Sequence, residues 1–561
     1  MIHHRVTLAI IGMSLFVVCG YRPDQAAAQV NVDAGGVHVH VGDGQPPPPE
    51  GVEVLTRGPV HEAFAQPITF DEGAGFTINR RPPGPIEEIP PDQKPEGNHI
   101  AWIPGYWSWD TDRTDFIWVS GCWRAVPPNT SWVPGYWAQG GGGYQWVAGF
   151  WTTADTEEIE YLPAPPATLE EGPQGAGSLD SIWIPGCWVR QEGRYAWRPG
   201  FWEQARPNWV WEPAYYVSTP RGWVYVEGYW DYPLNNRGVA FLPVYCPPSL
   251  YGRGDFRYSP EFALDLGALT LNLFISPERH HYYFGDYYGS EYSGEGFHPW
   301  YEARTRHDWY DPIYVHEQWR HRDDHNWVEN QRVEYEHRRD DKAVRPARTY
   351  EAMKAQVARL PEKERKQVQM ARPMKEVVSE KTTPFKFDTL DAKTREAAVS
   401  RAKDVHAYKD KRAQWESPSA APKAGPEPKE VATPGEPGQV VTPKEPREVV
   451  TPKEPAHTPS KELPKEPTKT ATPAEQPRTP DRGAVAKEHP AGQDVQAQKV
   501  KIPKSPITVR EAPRDKELTP PPRPEQPKPD TTVKPRSSKA DAPDRSRAPD
   551  EKPDKPEPPR K

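Results

Sequence analysis

Residues 132–151 read WVPGYWAQGGGGYQWVAGFW and contain the same six-letter word twice, W-x-x-G-aromatic-W, with a glycine-rich run between the copies. Related words begin at six further positions, Trp102, Trp118, Trp183, Trp197, Trp211 and Tyr225. The starts are spaced by 16, 14, 14, 37, 14, 14 and 14 residues, which gives two blocks of four units separated by an insertion. A repeat of short, nearly fixed period predicts a repetitive domain.

The units have the periodicity of β-strands. Aromatic residues alternate before each glycine, as Tyr144 and Trp146 do, and alternation of Trp, Tyr and Val is typical of a strand. Proline or glycine in the middle of nearly every unit excludes a helix, and a glycine inside a strand marks a bulge or a close approach of the backbone. A strand of about eight residues with a turn of about six accounts for the period. We therefore predict a mainly β fold, an antiparallel meander or sandwich of short aromatic-rich strands.

Two sets of tryptophans are expected if the two blocks form stacked four-stranded sheets. Each strand then buries one face and leaves the other outside. The set expected in the core is Trp118, Trp132 and Trp146. The set expected in an exposed outer row is Trp107, Trp137 and Trp202. An exposed aromatic patch usually marks an interaction surface, so the outer row is a candidate binding site.

The words YQWVAGFW, YAWRPGFW and WVYVEGYW resemble the YXWGXW repeat family of exported bacterial envelope proteins. The resemblance covers residues 100–232 and eight units. Two units carry Cys122 or Cys187 in place of the aromatic residue, and the unit WEPAYY has lost both its glycine and its final tryptophan. The resemblance implies export and a repetitive envelope domain. It implies no catalytic residues, because the biochemical role of the family is undefined.

Composition limits the size of the core. The chain of 561 residues has 71 Pro and 41 Gly and is only 35% hydrophobic, so much of it cannot bury enough apolar surface to offset its conformational entropy. Of the 22 tryptophans, 17 lie between Trp102 and Trp230, which places the core there. The net charge of −8 is mild and gives no indication of nucleic-acid binding.

The same shifts in composition divide the chain. The tail contains 33 prolines in 144 residues and no tryptophan, so we expect it to bury nothing and its deletion to leave the thermal transition unchanged. The predicted segments are a signal peptide (1–28), a Gly/Pro-rich, extended spacer (29–98), the first repeat block (99–160), a linker (161–180), the second block (181–246), a Tyr/His/Arg-rich region (247–340), a charged segment of exposed helices (341–417) and a disordered Pro/Lys/Glu-rich tail (418–561).

The N-terminus has the pattern of an export signal. Basic residues at 3–5 precede an apolar run of about fifteen residues, which is too short to span a bilayer comfortably. Small residues near Ala28 predict cleavage between Ala28 and Gln29. The competing interpretation is a lipid anchor at Cys19, although Val18 stands where a small residue is expected. Either way we expect an exported protein, in the periplasm or at the surface of a bacterium.

His316, His321 and His325 form the best metal candidate, together with Glu317. His321 and His325 are four residues apart and share a face if this stretch is helical. The sequence HEQWRH has one residue too many for a zinc-protease motif. In this Arg/Asp-rich stretch a solvated, ion-paired helix face is the alternative that the pattern favours.

Cleavage of the signal leaves Cys122, Cys187 and Cys246, an odd number for an oxidising compartment. Cys122 and Cys187 occupy the same position of their units, one in each block. A disulfide between them would tie the two blocks together. The alternative is that both are buried, unpaired thiols that replace Tyr or Phe.

No constellation of nucleophile and base has a recognisable local context, so we predict a protein that is not an enzyme and has no cofactor. Two functions compete: an envelope structural or scaffolding protein, and a glycan-binding module that stacks sugar rings on surface Trp and Tyr. A wall-polymer hydrolase is a remote third. The expected partner is an envelope polysaccharide or an envelope protein, not nucleic acid, and peripheral membrane association and self-association are compatible with the sequence. Aromatic residues buried between sheets would favour the structural role.

Overall fold

The structure is a computed structural model that describes residues 50–70, 75–305, 308–381, 383–417, 496–510 and 520–531, together with the backbone of 29–33 and 36–40. The predicted signal peptide, its cleavage site at Ala28, and Cys19 lie outside these residues. The described part is mainly β, with many short strands that pair antiparallel in all but one case, which confirms the predicted fold class. No helix within it has the length and apolar character needed to cross a bilayer.

The eight units pair two by two into four modules, each a β-hairpin whose two arms bend in the middle. We name them module 1 (100–125), module 2 (130–153), module 3 (181–204) and module 4 (210–231). Their strands are Ile100–Ile103, Tyr106–Asp110, Asp115–Val119 and Cys122–Ala125; Thr130–Val133, Tyr136–Gly140, Gly143–Val147 and Phe150–Thr153; Ser181–Ile184, Cys187–Gln191, Arg194–Arg198 and Phe201–Gln204; and Val210–Glu212, Tyr215–Thr219, Gly222–Val226 and Tyr229–Asp231.

Each predicted eight-residue strand is thus two short strands, interrupted at the x-x-G of the repeat. In module 2 the inner strands pair and place Trp137 opposite Trp146, while the outer strands pair and place Trp132 opposite Trp151. The inner and outer pairs belong to different sheets. Pairing the first tryptophan of one unit with the second of the next recurs in modules 1 and 3. The repeat therefore encodes a bent hairpin arm rather than one continuous strand.

Further short strands and helices lie outside the modules in sequence. The other strands are Gln29–Asp33, Gly36–His40, Glu53–Val54, Gly58–Pro59, Ile68–Thr69, Thr77–Ile78, Glu87–Glu88, Gln93–Pro95, Glu158–Leu162, Gly238–Ala240, Val244–Tyr245, Arg257–Tyr258, Phe262–Leu264, Leu273–Ser276, His281–Phe284, His298–Pro299, Trp309–Tyr310, Ala371–Pro373, Phe387–Thr389, Gln498–Lys501 and Thr508–Val509. The α-helices are α1 (Pro248–Tyr251), α2 (Leu266–Leu271), α3 (Ser290–Gly294), α4 (Pro312–Arg320), α5 (Trp327–Asp340), α6 (Tyr350–Val357), α7 (Glu362–Val368), α8 (Met374–Ser379) and α9 (Ala392–Trp415).

The prediction of an extended spacer is wrong for the described residues between 50 and 98. Phe64 is fully buried and Val60 is 2% exposed, both within the largest hydrophobic cluster of the described residues. The strand Glu53–Val54 joins the sheet of module 1 through Val244–Tyr245. This segment has too few apolar residues for a core of its own, but it places them against the aromatic rings of the modules.

The charged helical segment is helical as predicted, but its longest helix is not simply exposed. One stripe of α9 is buried and includes Ala402, Val405, Tyr408 and Arg412. Asp391 caps the start of the helix by accepting a hydrogen bond from the backbone N–H of Thr394. The thin apolar stripe is sufficient because it packs against aromatic clusters that the modules provide.

The expectation of a tail that buries nothing is wrong for residues 496–510 and 520–531. The strand Gln498–Lys501 pairs with Glu158–Leu162, and Thr508–Val509 pairs with the first strand of module 2. Ile507 is 2% exposed and lies in the largest core cluster. Main-chain pairing with open strand edges needs little apolar sequence, which is why composition did not reveal it. Residues 418–495, 511–519 and 532–561 lie outside the described part.

Candidate functional site

In the seven units that have a glycine at the bend, the glycine lies against a tryptophan ring of the partner unit. In module 2, a Cβ added to Gly149 would be 2.5 Å from Trp132, and one added to Gly135 would be 2.5 Å from Trp146. The same relation holds in modules 1 and 3, always between a glycine and the first tryptophan of the other unit. The predicted close approach of the backbone is confirmed, because a Cβ at Gly135 would also lie 2.8 Å from the carbonyl oxygen of Val147. The spacing W-x-x-G exists because each first tryptophan covers the bend of its neighbour.

A buried carboxylate binds the bend of module 1. Glu88 Oε2 accepts a hydrogen bond from the backbone N–H of Gly105 (2.9 Å), and Oε1 accepts one from Gly121 (2.9 Å). The indole N–H of Trp118 also donates to Oε1 (3.2 Å). Glu88 is 3% exposed. One side chain therefore satisfies the main-chain donors of both units and the tryptophan that covers one of the glycines.

Glu62 does the same for module 2. It accepts hydrogen bonds from the backbone N–H groups of Gly135 (2.9 Å) and Gly149 (3.0 Å) and from the indole N–H of Trp146 (3.2 Å). Burial raises the pKa of Glu62 to about 7 despite these bonds, and raises the pKa of Glu88 to about 7 in the same way. Two effects on the pKa of each carboxyl group therefore oppose each other. Loss of water raises the pKa, and the three converging hydrogen-bond donors lower it.

Module 3 has a similar carboxylate, and module 4 lacks this arrangement. Glu170, from the segment between the blocks, accepts hydrogen bonds from the backbone N–H of Gly186 (2.5 Å) and from the indole N–H of Trp183 (2.9 Å). In module 4, Ala214 stands at one glycine position, and the Nε1 atom of Trp211 is buried with no hydrogen-bond partner among the described residues. Module 4, which contains the divergent unit WEPAYY, is therefore also the module in which no carboxylate among the described residues binds the bend.

The carbonyl groups of the module 2 bend are satisfied from α9. Arg412 Nη1 donates to the carbonyl oxygens of Pro134 and Ala148, both at 2.9 Å. Its Nε donates to Glu416 (3.0 Å), which also accepts a hydrogen bond from the hydroxyl of Tyr136 (2.9 Å). Arg412 and Glu416 are fully buried. Arg412 Nη2 has no hydrogen-bond partner among the described residues, so the bonds of Nε and Nη1, and those that Glu416 accepts, offset the desolvation of this buried ion pair.

A second buried ionic network joins module 1 to module 4. Arg124 of module 1 lies 2.5 Å from Asp231 of module 4, which also contacts Arg237 at 3.1 Å. Arg237 in turn donates to Glu212 (2.7 Å). Removing one partner would leave an uncompensated buried charge, so this network fixes the relative position of the two blocks.

An aromatic cleft of about 880 Å³ lies between modules 1 and 2 and the C-terminal half of α9. Half-buried rings of Tyr106, Trp137 and Tyr144 line it above the buried rings of Trp107 and Trp146. Polar side chains at the same cleft are Arg81, Gln139, Lys409 and Asp410. The lining therefore combines an apolar aromatic floor with groups that donate and accept hydrogen bonds.

Packing fixes the rings of this cleft. The indole N–H of Trp137 donates to the carbonyl of Trp107 (2.9 Å), and that of Trp107 donates to the carbonyl of Gly84 (2.7 Å). Trp137 and Trp146 contact edge to face with centroids 5.5 Å apart, and Tyr106 stacks on Trp146 at 4.9 Å. A ligand would meet a preformed surface whose indole N–H groups are already occupied.

The structure divides the tryptophans differently from the predicted rows. Trp118, Trp132 and Trp146 are buried, at 0%, 1% and 8% exposure, as expected of the core set. In the outer set, Trp107 is only 4% exposed, so an exposed row of three is wrong. Trp137 and Trp202 are half-buried and line separate cavities, of about 880 and 600 Å³. The pairing of inner and outer hairpins buries both faces of most units.

The three candidate metal ligands do not converge. His321 is the C-cap of α4 and His325 lies beyond the helix, so they do not share a helix face. His316 and His321 each lie within 4 Å of a Glu317 carboxylate oxygen, at 3.7 and 3.8 Å. Within the described residues, no group of three or more His, Cys, Asp or Glu side chains is placed to hold a metal ion.

The disulfide between Cys122 and Cys187 is not formed. Both thiols and that of Cys246 are free and buried, which is the alternative that the sequence left open. Cys122 and Cys187 belong to different hydrophobic clusters. Burial raises the pKa of Cys187 to about 11 and of Cys246 to about 12, so these thiols stay protonated and are poor nucleophiles.

The carboxylates and Arg412 are the residues that the sequence patterns missed. Glu62 and Glu88 lie in the segment interpreted as a spacer, in the words HEAF and IEEIP. The available signal was an acidic residue followed directly by an apolar one, Ala63 after Glu62 and Ile89 after Glu88. The shared letters of the repeat, W-x-x-G-aromatic-W, include no acidic residue that could bind the bend.

A family model described as WXXGXW repeat (2 copies) matches residues 101–124, 132–152, 182–203 and 206–230. The four matches coincide with the four modules, and each takes in two units. The part of the chain from 101 to 230 thus consists of WXXGXW repeats, which confirms the family that the sequence resembles. Searches among curated proteins and among solved structures gave no match.

Proposed function

We propose that the protein is a non-enzymatic, exported scaffold of the bacterial envelope that binds an envelope polysaccharide in the aromatic cleft. The observation that carries this proposal is the lining of the cleft, where the half-buried rings of Trp137 and Tyr144 lie beside the polar groups of Gln139, Lys409 and Asp410. A sugar ring has an apolar face of C–H groups and an equatorial rim of hydroxyls. Aromatic rings suit the first and polar side chains the second.

The rest of the repeat domain supports a scaffolding role. Most of its tryptophans are buried in cross-strand pairs, as Trp132 with Trp151 and Trp102 with Trp123. Its buried carboxylates Glu62 and Glu88 are held by main-chain donors. Because these side chains are buried or hydrogen-bonded, they hold the bends of the modules in place. A preformed binding cleft requires such a rigid frame.

The test of binding is retention of the mature full-length protein on purified, insoluble wall polysaccharide. We expect Trp137→Ala and Tyr144→Ala each to weaken retention about tenfold, as loss of a central aromatic contact does. Trp202→Ala is the matched control, because Trp202 holds the same position in its unit but lines a different cavity. A second assay uses whole envelope fractions, with and without prior protease treatment. It distinguishes a polysaccharide partner from a protein partner.

Equal retention of the wild type and the Trp137→Ala variant, or an equal loss in the Trp202→Ala control, would contradict binding in this cleft. The repeats would then be structural only. Export is tested separately by mass spectrometry of the mature N-terminus. We expect it at Gln29, and a lipid-modified terminus at Cys19 would show that the protein is anchored instead.

A further inference from the structure

A second aromatic surface, on the other side of module 2, is occupied by the chain itself. A groove of about 390 Å³ lies between modules 2 and 4, and Trp151, Tyr225 and Trp230 are among its lining residues. Pro520, Pro521 and Arg523 line the same groove. These belong to residues 520–531, here named the strap, whose sequence is PPPRPEQPKPDT.

The strap makes three kinds of contact with the modules. The indole N–H of Trp230 donates to the carbonyl of Pro522 (3.2 Å). Arg523 forms an ion pair with Glu227 of module 4 (2.8 Å). Further along, Asp530 exchanges two main-chain hydrogen bonds with Trp197 of module 3.

These contacts are those by which proteins recognise polyproline-II peptides. A proline-rich segment makes no hydrogen bonds within itself, so its carbonyl groups are free to accept them from outside. Grooves that bind such segments are lined by aromatic rings, and an indole N–H directed at a proline carbonyl fixes the register. The ion pair with Glu227 then makes the groove select proline-rich segments in which a basic residue directly follows the anchoring proline.

We propose that this groove is a binding site for a basic proline-rich segment, and that a second copy of this chain supplies that segment through its own strap. The chain itself contains the sequence that fits, so each molecule offers both a groove and a ligand. Residues 496–510 pair with the same molecule, and the nine residues 511–519 separate them from the strap, a length that spans up to about 30 Å when extended, so the sequence allows the strap to reach the groove of an adjoining copy. Exchange of an identical element between copies is a low-cost route to association. The inference is independent of polysaccharide binding, which uses another surface.

Two full-length variants test the exchange directly. The first has an intact strap and a weakened groove, Trp230→Phe with Glu227→Gln. The second has an intact groove, with residues 520–531 replaced by a Gly/Ser sequence of equal length. We expect the two to form one-to-one complexes when mixed, by analytical ultracentrifugation, and neither to associate alone. A mixture that stays monomeric at high micromolar concentration overturns the role of a second copy.

A synthetic peptide of residues 518–532 tests the groove itself. We expect it to bind the strap-replaced variant in a fluorescence anisotropy titration. Adding Trp230→Phe to that variant should weaken binding about fivefold, because one hydrogen bond is lost while the ring remains. Trp319→Phe, on α4 and outside the groove, is the matched control and should leave the affinity unchanged. Absence of binding, or equal affinity for the Trp230→Phe variant with an unchanged circular dichroism spectrum, overturns the site.

Discussion

In each of modules 1 and 2, a single buried carboxylate binds the two bends of the hairpin. Glu62 and Glu88 each serve two units at once, because the two bends of a module bring their glycine N–H groups to one point. An N–H group left buried without a partner costs about as much as a lost hydrogen bond, and three would be left together. The repeats thus depend on residues that lie outside the repeats.

Replacing Glu88 with alanine should lower the free energy of unfolding by at least about 3 kcal/mol, since it leaves three buried donors without an acceptor. Urea denaturation followed by tryptophan fluorescence measures this. The adjacent Glu87→Ala is the matched control. Among the described residues, the Glu87 side chain makes only surface ion pairs, with Arg257 and Lys403, and we expect its loss to cost less than about 1 kcal/mol. Similar losses in the two variants would show that Glu88 does not hold the bend.

The raised pKa of Glu88 predicts a pH dependence with a definite sign. The folded protein binds a proton at Glu88 below about pH 7, while the unfolded chain does so only near its ordinary value of about 4.3. Folding therefore takes up a proton between these values, so the contribution of Glu88 to stability rises as the pH falls, by up to about 3 kcal/mol.

The comparison that isolates this contribution is wild type against Glu88→Gln, measured by urea denaturation from pH 8 to pH 5. Buried histidines act in the opposite direction, since burial lowers the pKa of His61 to about 4 and of His281 to about 3. Their effects cancel in the difference between the two proteins. We expect the wild type to gain stability relative to the variant as the pH falls. A difference that is constant with pH would mean that Glu88 stays ionised.

The bent hairpin, which contains two repeat units, explains why each unit carries two tryptophans. In one continuous strand the two tryptophans of a unit, five residues apart, would lie in the same sheet on opposite faces. The break at the glycine instead places them in two different sheets. Cross-strand rings then meet edge to face in both, with centroids 5.3 Å apart for Trp107 and Trp118 and 5.2 Å for Trp102 and Trp123. Aromatic pairs of this geometry add about 0.5–1.5 kcal/mol beyond the area that they bury.

A methyl group at the bend should disrupt this unit. A Cβ at Gly149 would lie 2.5 Å from Trp132 and 2.7 Å from Glu62, so we expect Gly149→Ala to cost about 2 kcal/mol or more through overpacking. Gly141→Ala, at the tip of the same hairpin, is the matched control because nothing lies within 4 Å of its Cβ position. Thermal denaturation measures both. Equal midpoints for the two variants would refute the close approach.

Segments that are distant in sequence pack against module 2. Residues 50–70 supply a carboxylate to module 2, α9 supplies Arg412 to the same bend, and 496–510 add a strand to its edge. Ser505 and Ile507 continue this contact, the first by a hydrogen bond to the carbonyl of Trp132 (2.6 Å). Module 2 is therefore held from three directions.

Ile507→Ala tests whether the C-terminal segment belongs to the core. Ile507 is 2% exposed in the largest cluster, so we expect a loss of about 3 kcal/mol and a lower thermal midpoint of the whole domain. The matched control is Lys504→Ala, an exposed residue of the same segment, which should change stability by less than about 0.5 kcal/mol. An unchanged midpoint for Ile507→Ala would restore the view of a tail that buries nothing.

The repeat pattern by itself determined the mainly β class and the close approach at glycine. These follow from local physics: period two, the steric freedom of glycine and the burial that an aromatic ring offers. The pattern did not determine the position of the core, because the largest hydrophobic cluster of the described residues takes most of its members from outside 102–230. Only the tertiary structure decided that the units pair as bent hairpins, that Trp107 is buried, and that Cys122 and Cys187 stay apart. It alone assigned Glu62, Glu88 and Arg412 to the bends. Those contacts join residues far apart in the chain, and the need for an acceptor at a bend does not specify which distant segment provides it.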